Sequence, residues 1–445
     1  GTGGGRVMRR LLLASLLLPL ALAGLAGPGV GFEPALLHEV LPNGLRVIVA
    51  EQPHSPAVTV DVWVRVGSRD ETDETNGAAH FVEHMLFKGT RRRPVGQIAR
   101  EVESLGGWTN ASTGYDYTHY YVLAPAGAVD RVLDIQADAL TDPTFEPAEV
   151  ERERAVILQE LNLIQDTPAR YAFFKLFSAA FTVHPYRRPV GGSPEAVRRM
   201  SRDQLVGFYR AHYGPANVTV VVAGGVVPRA TLERIRARFG RWRREVARRP
   251  APPREPPLDG VRRAVELRDV QVATLAMGWL GPAVSDPDHY AVDVLVYALG
   301  RGRAARWVRN LRDRKRVVQA VSVGFPTARD PSLVFVVATT SDPDESRAEA
   351  AVREEVRHLR RDGITEEELQ RAKTLLESEA RTEQHTSQGL AASLGFAATV
   401  ADLDYHRTYL ENVRAVTRQD VLEVARRYLD PDRYALVAIR PRRSP

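Results

Sequence analysis

The chain has 445 residues, of which 44% are hydrophobic and 26% are charged, and its formal net charge is +6. This composition is typical of a soluble globular protein with more than one domain and excludes a disordered chain. The absence of cysteine excludes disulfides and thiolate metal sites. Binding to nucleic acid is not expected, because Arg6, Arg9 and Arg10 supply half of the net charge and precede an apolar segment.

Residues 1–27 have the parts of a secretory signal peptide. The arginines form a basic start, residues 11–22 form an apolar run, and Ala23 and Ala26 end two small-residue cleavage sites. The run is too short to cross a bilayer comfortably. We therefore expect a periplasmic or secreted protein with a cleaved signal peptide, and a retained membrane anchor is the alternative.

Hydrophobic periodicity outlines an N-terminal α+β domain over residues 33–240. Its predicted strands are 41–49, entered as a hairpin, 57–66, 115–123 and 218–223. Its predicted helices are one that begins at Gly77 and those over 94–105, 128–140, 147–165 and 202–213. The segment 57–66 alternates apolar and polar residues, which predicts a half-buried strand.

An Arg- and Pro-rich linker over residues 241–260 follows, and its composition predicts an extended, solvated segment. The pattern then restarts, with predicted strands at 270–279, 317–324, 333–340 and 435–439 and predicted helices at 289–299, 345–359, 365–384 and 418–429. Both halves end with an amphipathic helix, a turn with Tyr and Pro, and a short apolar strand. We interpret residues 261–440 as a second copy of the N-terminal domain. Regular βαβ alternation, which a doubly wound parallel sheet requires, is not seen.

The candidate chemical site is the sequence HFVEH at residues 80–84. Two imidazoles four residues apart lie on one face of a helix, so both can bind one metal ion. Glu83 lies beside them and could take a proton from metal-bound water. The order HxxEH is the inverted zincin pattern. The C-terminal half has no second HxxEH, so one metal ion per chain is expected.

A catalytic zinc ion normally has three protein ligands and a water. The helix predicted at 147–165 offers candidates, since Glu153 and Glu160 are two helical turns apart and share a face with Val156 and Ile157. Carboxylates on an apolar helix face are costly unless they are paired or bound to a metal. Spacing alone leaves open which of the two completes the site.

The chain resembles the pitrilysin-like metallopeptidases of family M16, which include the mitochondrial processing peptidase, insulin-degrading enzyme and short bacterial members. The resemblance extends over about residues 37–440 and is densest in the N-terminal half. It rests on NGLRV at 43–47, GSRDE at 67–71, GAAHFVEHMLFKGT at 77–90, NAST at 110–113, the Glu153 and Glu160 pair, HPY at 184–186 and Gly192. It implies two homologous α+β domains, each a mixed or antiparallel sheet packed with helices, which face each other as a clamshell.

The resemblance also implies a function and a role for each residue. The function is that of a zinc-dependent endopeptidase with three metal ligands, which are His80, His84 and Glu160. Glu83 is the implied general base, and Glu153 orients a ligand from behind. Peptides are implied to bind as an added strand along the edge that contains Asn110 and Ala111.

One departure from the family pattern concerns the C-terminal half. Active single-chain members carry an Arg and, seven residues later, a Tyr that bind substrate and stabilise the oxyanion. Arg312 fits the Arg, but Gln319 stands where Tyr is expected, and a glutamine lacks the phenol. Two interpretations are open for this position. Either a sister subunit supplies the Arg and Tyr to a zinc-bearing chain, or Gln319 or another residue substitutes within one chain.

Because of this departure at Gln319, more than one interpretation of the function and subunit composition of the protein is open. A homodimer or a heterodimer with a similar subunit is expected from the family. A non-catalytic subunit of the same fold is the main alternative to a peptidase. A metal-storage module is a third interpretation, and it would not need Glu83.

Overall fold

The computed structural model describes residues 36–341 and 345–442. The predicted signal peptide at 1–27 lies outside the described residues. No helix within the two described ranges combines the length and the apolar character needed to cross a membrane.

The N-terminal half forms a six-stranded mixed sheet. Its strands are β1 (Leu36–Val40), β2 (Arg46–Glu51), β3 (Ala57–Val64), β4 (Trp108–Thr113), β5 (Thr118–Pro125) and β6 (Val218–Gly224). Its helices are α1 (Ala78–Leu86), α2 (Gln97–Ser104), α3 (Val129–Thr141), α4 (Pro147–Gln165), α5 (Pro168–Ala180), α6 (Pro194–Arg199), α7 (Arg202–His212) and α8 (Pro228–Phe239). The strand order is β1-β2-β6-β3-β5-β4, with β2 and β6 parallel, so β4 lies at an edge.

The C-terminal half forms a five-stranded sheet of order β7-β11-β8-β10-β9. Its strands are β7 (Val261–Arg268), β8 (Ala273–Leu280), β9 (Ala320–Gly324), β10 (Leu333–Thr340) and β11 (Tyr434–Pro441). Its helices are α9 (Asp288–Gly300), α10 (Ser346–Asp362), α11 (Glu366–Gln384), α12 (Ser387–Val400), α13 (Leu403–Ala415) and α14 (Arg418–Tyr428). Apart from β1, the two sheets have the same order and strand directions, since β7 and β11 are also parallel.

Each sheet is covered on one face by a helix from the other half. Helix α5 packs on β8 and β11, where Phe177 lies in one apolar cluster with Val437. Helix α12 packs on β3 and β6, where Leu394 lies in one cluster with Trp63 and Val221. The repeated topology and this exchange of helices form one α+β molecule of two similar domains. The predicted fold class, with the domains facing each other as a clamshell, is confirmed, while the domain bounds 33–240, 241–260 and 261–440 stay predictions.

Strand β3 is fully buried apart from its first residue, so the prediction of a half-buried strand is wrong. Helix α12 covers the face on which the polar residues lie. There the Thr59 and Ser387 hydroxyls are hydrogen-bonded at 3.0 Å, and Asp61 pairs with Nδ1 of His119 at 3.0 Å. The alternation of apolar and polar residues in β3 indicated a solvated face. Periodicity within one segment cannot reveal that a helix of the other domain covers that face.

The Arg- and Pro-rich linker contains no helix or strand over residues 242–259, and it is not solvated throughout. Trp242 packs in the N-terminal core, and Nε of Arg249 lies 3.3 Å from Oδ1 of Asp70. Glu255 is buried and accepts the backbone N–H groups of residues 182–184. The prediction of a solvated linker is therefore wrong at these positions, because the charged side chains have buried partners.

Candidate active site

Helix α1 carries the HxxEH residues and places the two imidazoles side by side. The ring centroids of His80 and His84 are 4.8 Å apart, and the rings are nearly perpendicular at 84°. On the opposite side of the helix, Phe81, Val82 and Met85 are fully buried in the N-terminal core. This packing fixes the helix so that both histidines face away from the core.

Helix α4 brings Glu160 against the two histidines. Oε2 of Glu160 lies 3.7 Å from Nε2 of His80 and 3.5 Å from Nε2 of His84. Atoms bound tetrahedrally at zinc distances are roughly 3.3 Å apart, so the three side chains fit a zinc ion with little adjustment. Within the described residues no other group of three His, Asp or Glu side chains is as closely spaced. Glu160 is 43% exposed, which leaves the site open to water and substrate.

Glu153 lies behind His84 on the same helix as Glu160. Its Oε2 is 2.9 Å from Nδ1 of His84, and its Oε1 is 2.8 Å from Nζ of Lys88. Burial raises the pKa of Glu153, but the hydrogen bonds to His84 and Lys88 outweigh it and hold that pKa below its ordinary value. An ionised Glu153 keeps the proton of His84 on Nδ1, so that Nε2 is available to a metal.

The two histidines have opposite pKa shifts. Burial and the neighbouring His84 lower the pKa of His80 to about 4, so this ring is neutral near pH 7. Burial also lowers the pKa of His84, but hydrogen bonds to Glu153 and Glu160 outweigh it and raise that pKa to about 9. The carboxylates therefore favour positive charge where the ligand atoms converge.

Glu83 lies between α1 and the edge strand β4. Oγ1 of Thr113, the last residue of β4, donates a 2.5 Å hydrogen bond to Oε2 of Glu83. Burial raises the pKa of Glu83 above its ordinary value. The candidate base is thus held at the end of the strand along which peptides are predicted to bind.

Strand β4 pairs with β5 and has no second partner strand in the described residues. The N–H of Ala111 donates to Oδ1 of Asn110 at 2.9 Å, so it faces the free edge. A cavity of about 180 Å³ lies beside it, lined by Phe87, Ala99, Thr109 and Asn110. An extended chain could therefore pair with this main-chain donor in place of Asn110 and put a side chain into the recess.

A buried carboxylate fixes the start of α1. Glu71 accepts hydrogen bonds from the backbone of Gly77 and Ala79, both at 2.8 Å, and from Nδ2 of Asn76 at 2.9 Å. Gly77 has a φ of 99°, and a Cβ on Gly192 would lie 2.6 Å from the Asn76 carbonyl oxygen. Burial raises the pKa of Glu71 to about 7, and the hydrogen bonds from Gly77 and Ala79 oppose this shift. These hydrogen bonds position the helix that carries His80.

Sequence reasoning gave no role to Glu71 and Lys88, and it placed Thr113 only in the peptide-binding edge, without a contact to Glu83. Lys88 and Thr113 act through contacts with residues of other elements, which no local pattern reveals. The sequence did contain a signal for Glu71, because an acidic residue shortly before a helix that begins at a glycine can accept hydrogen bonds from the start of that helix.

Arg312 and Gln319 have local contacts in the C-terminal half. Arg312 lies in a π-helical segment, Val308–Arg314, and its Nε donates to the adjacent Asp313 at 2.8 Å. Gln319 is exposed just before β9, and its backbone N–H donates to the carbonyl of Thr339. Within the described residues, neither side chain has a hydrogen bond or ion pair with the metal-site residues.

Glu153→Gln and Lys88→Met are expected to weaken zinc binding by about 10–100-fold, the loss typical of residues that orient a metal ligand. Glu153→Gln removes the carboxylate behind His84, and Lys88→Met removes the ammonium that pairs with its Oε1. Zinc affinity is measured by competition with a coloured chelator. Glu151→Gln is the matched control, because Glu151 is exposed on the same helix and pairs with Arg154. Wild-type affinity in both variants would contradict this role.

The fold and the site define a two-domain protein of the metallopeptidase class. Residues 46–193 match the family model described as insulinase (peptidase family M16). Residues 199–376 match the one described as the peptidase M16 inactive domain. The chain belongs to peptidase family M16, and the predicted resemblance is confirmed.

Similar proteins match this chain over most or part of its length. An uncharacterized zinc protease of Mycobacterium tuberculosis is 32% identical over 432 residues, which cover 94% of this chain and 96% of that protein. A probable mitochondrial-processing peptidase subunit beta of Arabidopsis thaliana is 33% identical over 284 residues, 62% of this chain and 52% of that protein. The crystal structure of a protease from Helicobacter pylori has a TM-score of 0.88 at 26% identity, covering 92% of this chain and all of that one.

Proposed function

We propose that the chain is an exported zinc-dependent endopeptidase that hydrolyses peptides or unfolded protein segments. The observation that carries the proposal is the convergence of His80, His84 and Glu160 beside Glu83, at the end of a free sheet edge. The names of the bacterial relatives, which call them zinc proteases, support zinc as the metal. We propose one zinc ion per chain.

The site residues divide the chemistry among them. His80, His84 and Glu160 would hold a zinc ion, and the ion would supply a Lewis acid that lowers the pKa of a bound water. Glu83 accepts the proton of the attacking water and later gives it to the leaving amine. Thr113 holds the Glu83 carboxylate, and Glu153 holds the Nδ1 side of His84, so that Nε2 is the nitrogen that faces the metal position.

We propose that substrate binds by adding a strand to β4. The Ala111 N–H is available once the Asn110 side chain turns away, since Asn110 now accepts it. A bound strand places successive side chains on opposite faces of the sheet, so one of them can enter the cavity beside Phe87 and Ala99. Main-chain recognition of this kind makes weak demands on sequence.

Ala111→Pro is expected to raise the KM for peptides roughly tenfold and to change kcat little, because one main-chain hydrogen bond to substrate is lost. The fold should persist, since the lost N–H donates to a side chain rather than to β5. Ala111→Ser, which keeps the N–H, is the matched control. Steady-state cleavage of a fluorogenic peptide gives both constants, and an unchanged KM in the proline variant would exclude this edge.

We propose more specifically that the active protein contains a second subunit. Arg312 pairs with its own neighbour, and Gln319 lies exposed at the start of an edge strand, so neither is committed to the metal site of its own chain. This placement favours a homodimer, or a heterodimer in which a similar chain supplies the Arg and Tyr. A non-catalytic subunit is the weaker candidate, since all the metal-site residues and the base are present.

The test is cleavage of a pool of unfolded peptides by the purified mature chain, with and without a chelator, followed by Gln319→Tyr. Chelator-sensitive cleavage by the wild-type chain supports a self-sufficient peptidase. No cleavage despite bound zinc, with activity restored by Gln319→Tyr or by a sister subunit, supports the dimer. Cleavage that the chelator leaves unchanged would refute the zinc mechanism. Fractionation of cells tests the proposed export.

A further inference from the structure

Four arginines from distant parts of the chain meet where the two domains join. Arg46 begins β2, Arg65 follows β3, Arg249 lies in the linker, and Arg329 lies in the loop between β9 and β10. Each of these side chains is partly buried. Within the described residues, none has a hydrogen bond or ion pair with the metal-site residues.

The first two arginines lie on the same face of the N-terminal sheet. Arg46 and Trp63 are both register partners of Thr219 on β6, so their side chains share a face. Arg65 is two residues beyond Trp63 and therefore points to that face as well. Helix α12 covers the face and ends there, where the carbonyl of Ala398 accepts a hydrogen bond from Nη1 of Arg46 at 3.0 Å.

Contacts of the other two arginines bring them to the same junction. Nε of Arg249 is 3.3 Å from Oδ1 of Asp70. The backbone N–H of Arg329 donates to Oδ2 of Asp116 at 2.9 Å, and Asp116 lies 3.7 Å from Nε of Arg69, the neighbour of Asp70. The C-terminal loop, the linker and the N-terminal sheet thus each contribute a guanidinium.

The positive charges are close enough to act on one another. Burial, followed by repulsion from Arg329 and Arg249, lowers the pKa of Arg65 to about 10. Burial and Arg329 also lower the pKa of Arg46. The neighbouring carboxylates are already engaged, because Asp70 pairs with Arg249 while Asp116 and Asp330 pair with Arg69. These carboxylates do not balance all of the positive charge, so the arginine cluster keeps an excess of positive charge.

Several of the guanidinium donors have no acceptor in the part of the chain that the structure describes. Nε of Arg65 and both Nη atoms of Arg249 are buried without a hydrogen-bond partner among the described residues. The side chain of Arg329 likewise has no hydrogen bond or ion pair within residues 36–341 and 345–442. Buried cationic donors are costly unless an acceptor meets them. Planar guanidinium groups bind tetrahedral and planar oxyanions through paired N–H donors.

We propose that Arg46, Arg65, Arg249 and Arg329 form a binding site for an oxyanion of the phosphate class with two negative charges. One such anion would accept hydrogen bonds from the buried N–H groups of Arg65 and Arg249, and its negative charge would offset the positive charge of Arg329. Because both domains and the linker contribute, the bound anion favours the joined arrangement of the domains. The inference involves neither zinc nor peptide cleavage, so it stands apart from the proposed function.

The test is calorimetric titration of inorganic phosphate into the full purified chain, after zinc has been removed by chelation and dialysis, at constant ionic strength. One phosphate per chain is expected, with binding at least tenfold weaker in Arg249→Gln and in Arg329→Gln. Saturating phosphate should raise the midpoint of thermal unfolding by on the order of 3 °C in the wild type only. Arg407→Gln is the control, because Arg407 is exposed and pairs with Asp404 on the same helix.

Glycerol phosphate distinguishes the two sources of the anion. Binding of both compounds supports a site open to phosphate esters, and binding of inorganic phosphate alone supports an enclosed site for the free ion. Equal effects of phosphate, acetate and chloride would overturn the proposal, as would unchanged phosphate binding in both variants. If Arg249→Gln fails to fold, Arg329→Gln still decides, since its side chain has no partner to lose among the described residues.

Discussion

Replacing Glu83 with glutamine is expected to reduce peptide cleavage by about 10²–10⁴-fold while zinc stays bound. The amide keeps the size of the side chain and can still accept the hydrogen bond from Thr113. It cannot accept a proton from the attacking water. The three proposed metal ligands are untouched, so the loss should fall on kcat rather than on zinc content. Single-turnover cleavage and metal analysis of the same preparation measure the two quantities.

Glu151→Gln is the control for this variant, because it makes the same chemical change at an exposed position of α4. It should retain full activity. Cleavage within a few fold of wild type in Glu83→Gln would remove Glu83 from the role of base. Loss of zinc in that variant would instead assign Glu83 to the metal ligands, a role for which Glu160 is better placed.

The second large effect is expected from His80→Ala and Glu160→Ala, which each remove one of three proposed ligands. Zinc affinity should fall by more than the 10–100-fold that is typical when only an orienting residue is lost. Addition of zinc should then no longer raise the midpoint of thermal unfolding. Metal analysis after dialysis and thermal melts with and without zinc measure both effects.

His54→Ala is the matched control for the histidine, since His54 is exposed and lies far from α1 in the sequence. Its zinc content should equal that of the wild type. Stoichiometric zinc in Glu160→Ala would overturn Glu160 as the third ligand. Glu153 would then be the next carboxylate to test, because it already contacts Nδ1 of His84.

The sequence predicted many of the elements that have one apolar and one solvated side, although it missed α8. Helix α4 has the predicted bounds, and β10 does as well. Helix α12 was not predicted, because it lies buried between the N-terminal sheet and the C-terminal domain. Its sequence, SQGLAASLGFAATV, therefore has no polar face. Helix α5 lies in the same position on the other sheet and was also not predicted, although Arg170 and Lys175 are exposed on it. Val156, expected beside Glu153 on the apolar face, is 40% exposed, so the shared face is narrower than predicted.

The sequence alone predicted only some of the residues of the candidate site. Spacing within one helix was enough to pair His80 with His84 and to place Glu83 beside them. The choice of Glu160 over Glu153 needed the family resemblance, since both lie on one face of α4. The arginine cluster had no signal at all, because its members come from a strand, a linker and two loops that only the tertiary fold brings together.

The exchange of helices between the domains sets an order of events during synthesis. All strands of the N-terminal sheet have been made once β6 leaves the ribosome, but the face that carries Trp63 and Val221 stays bare until α12 follows. Over the same interval the apolar side of α5 has no sheet to cover. A fragment that stops in the linker is therefore expected to aggregate, and the nascent chain must be shielded until both halves have been made.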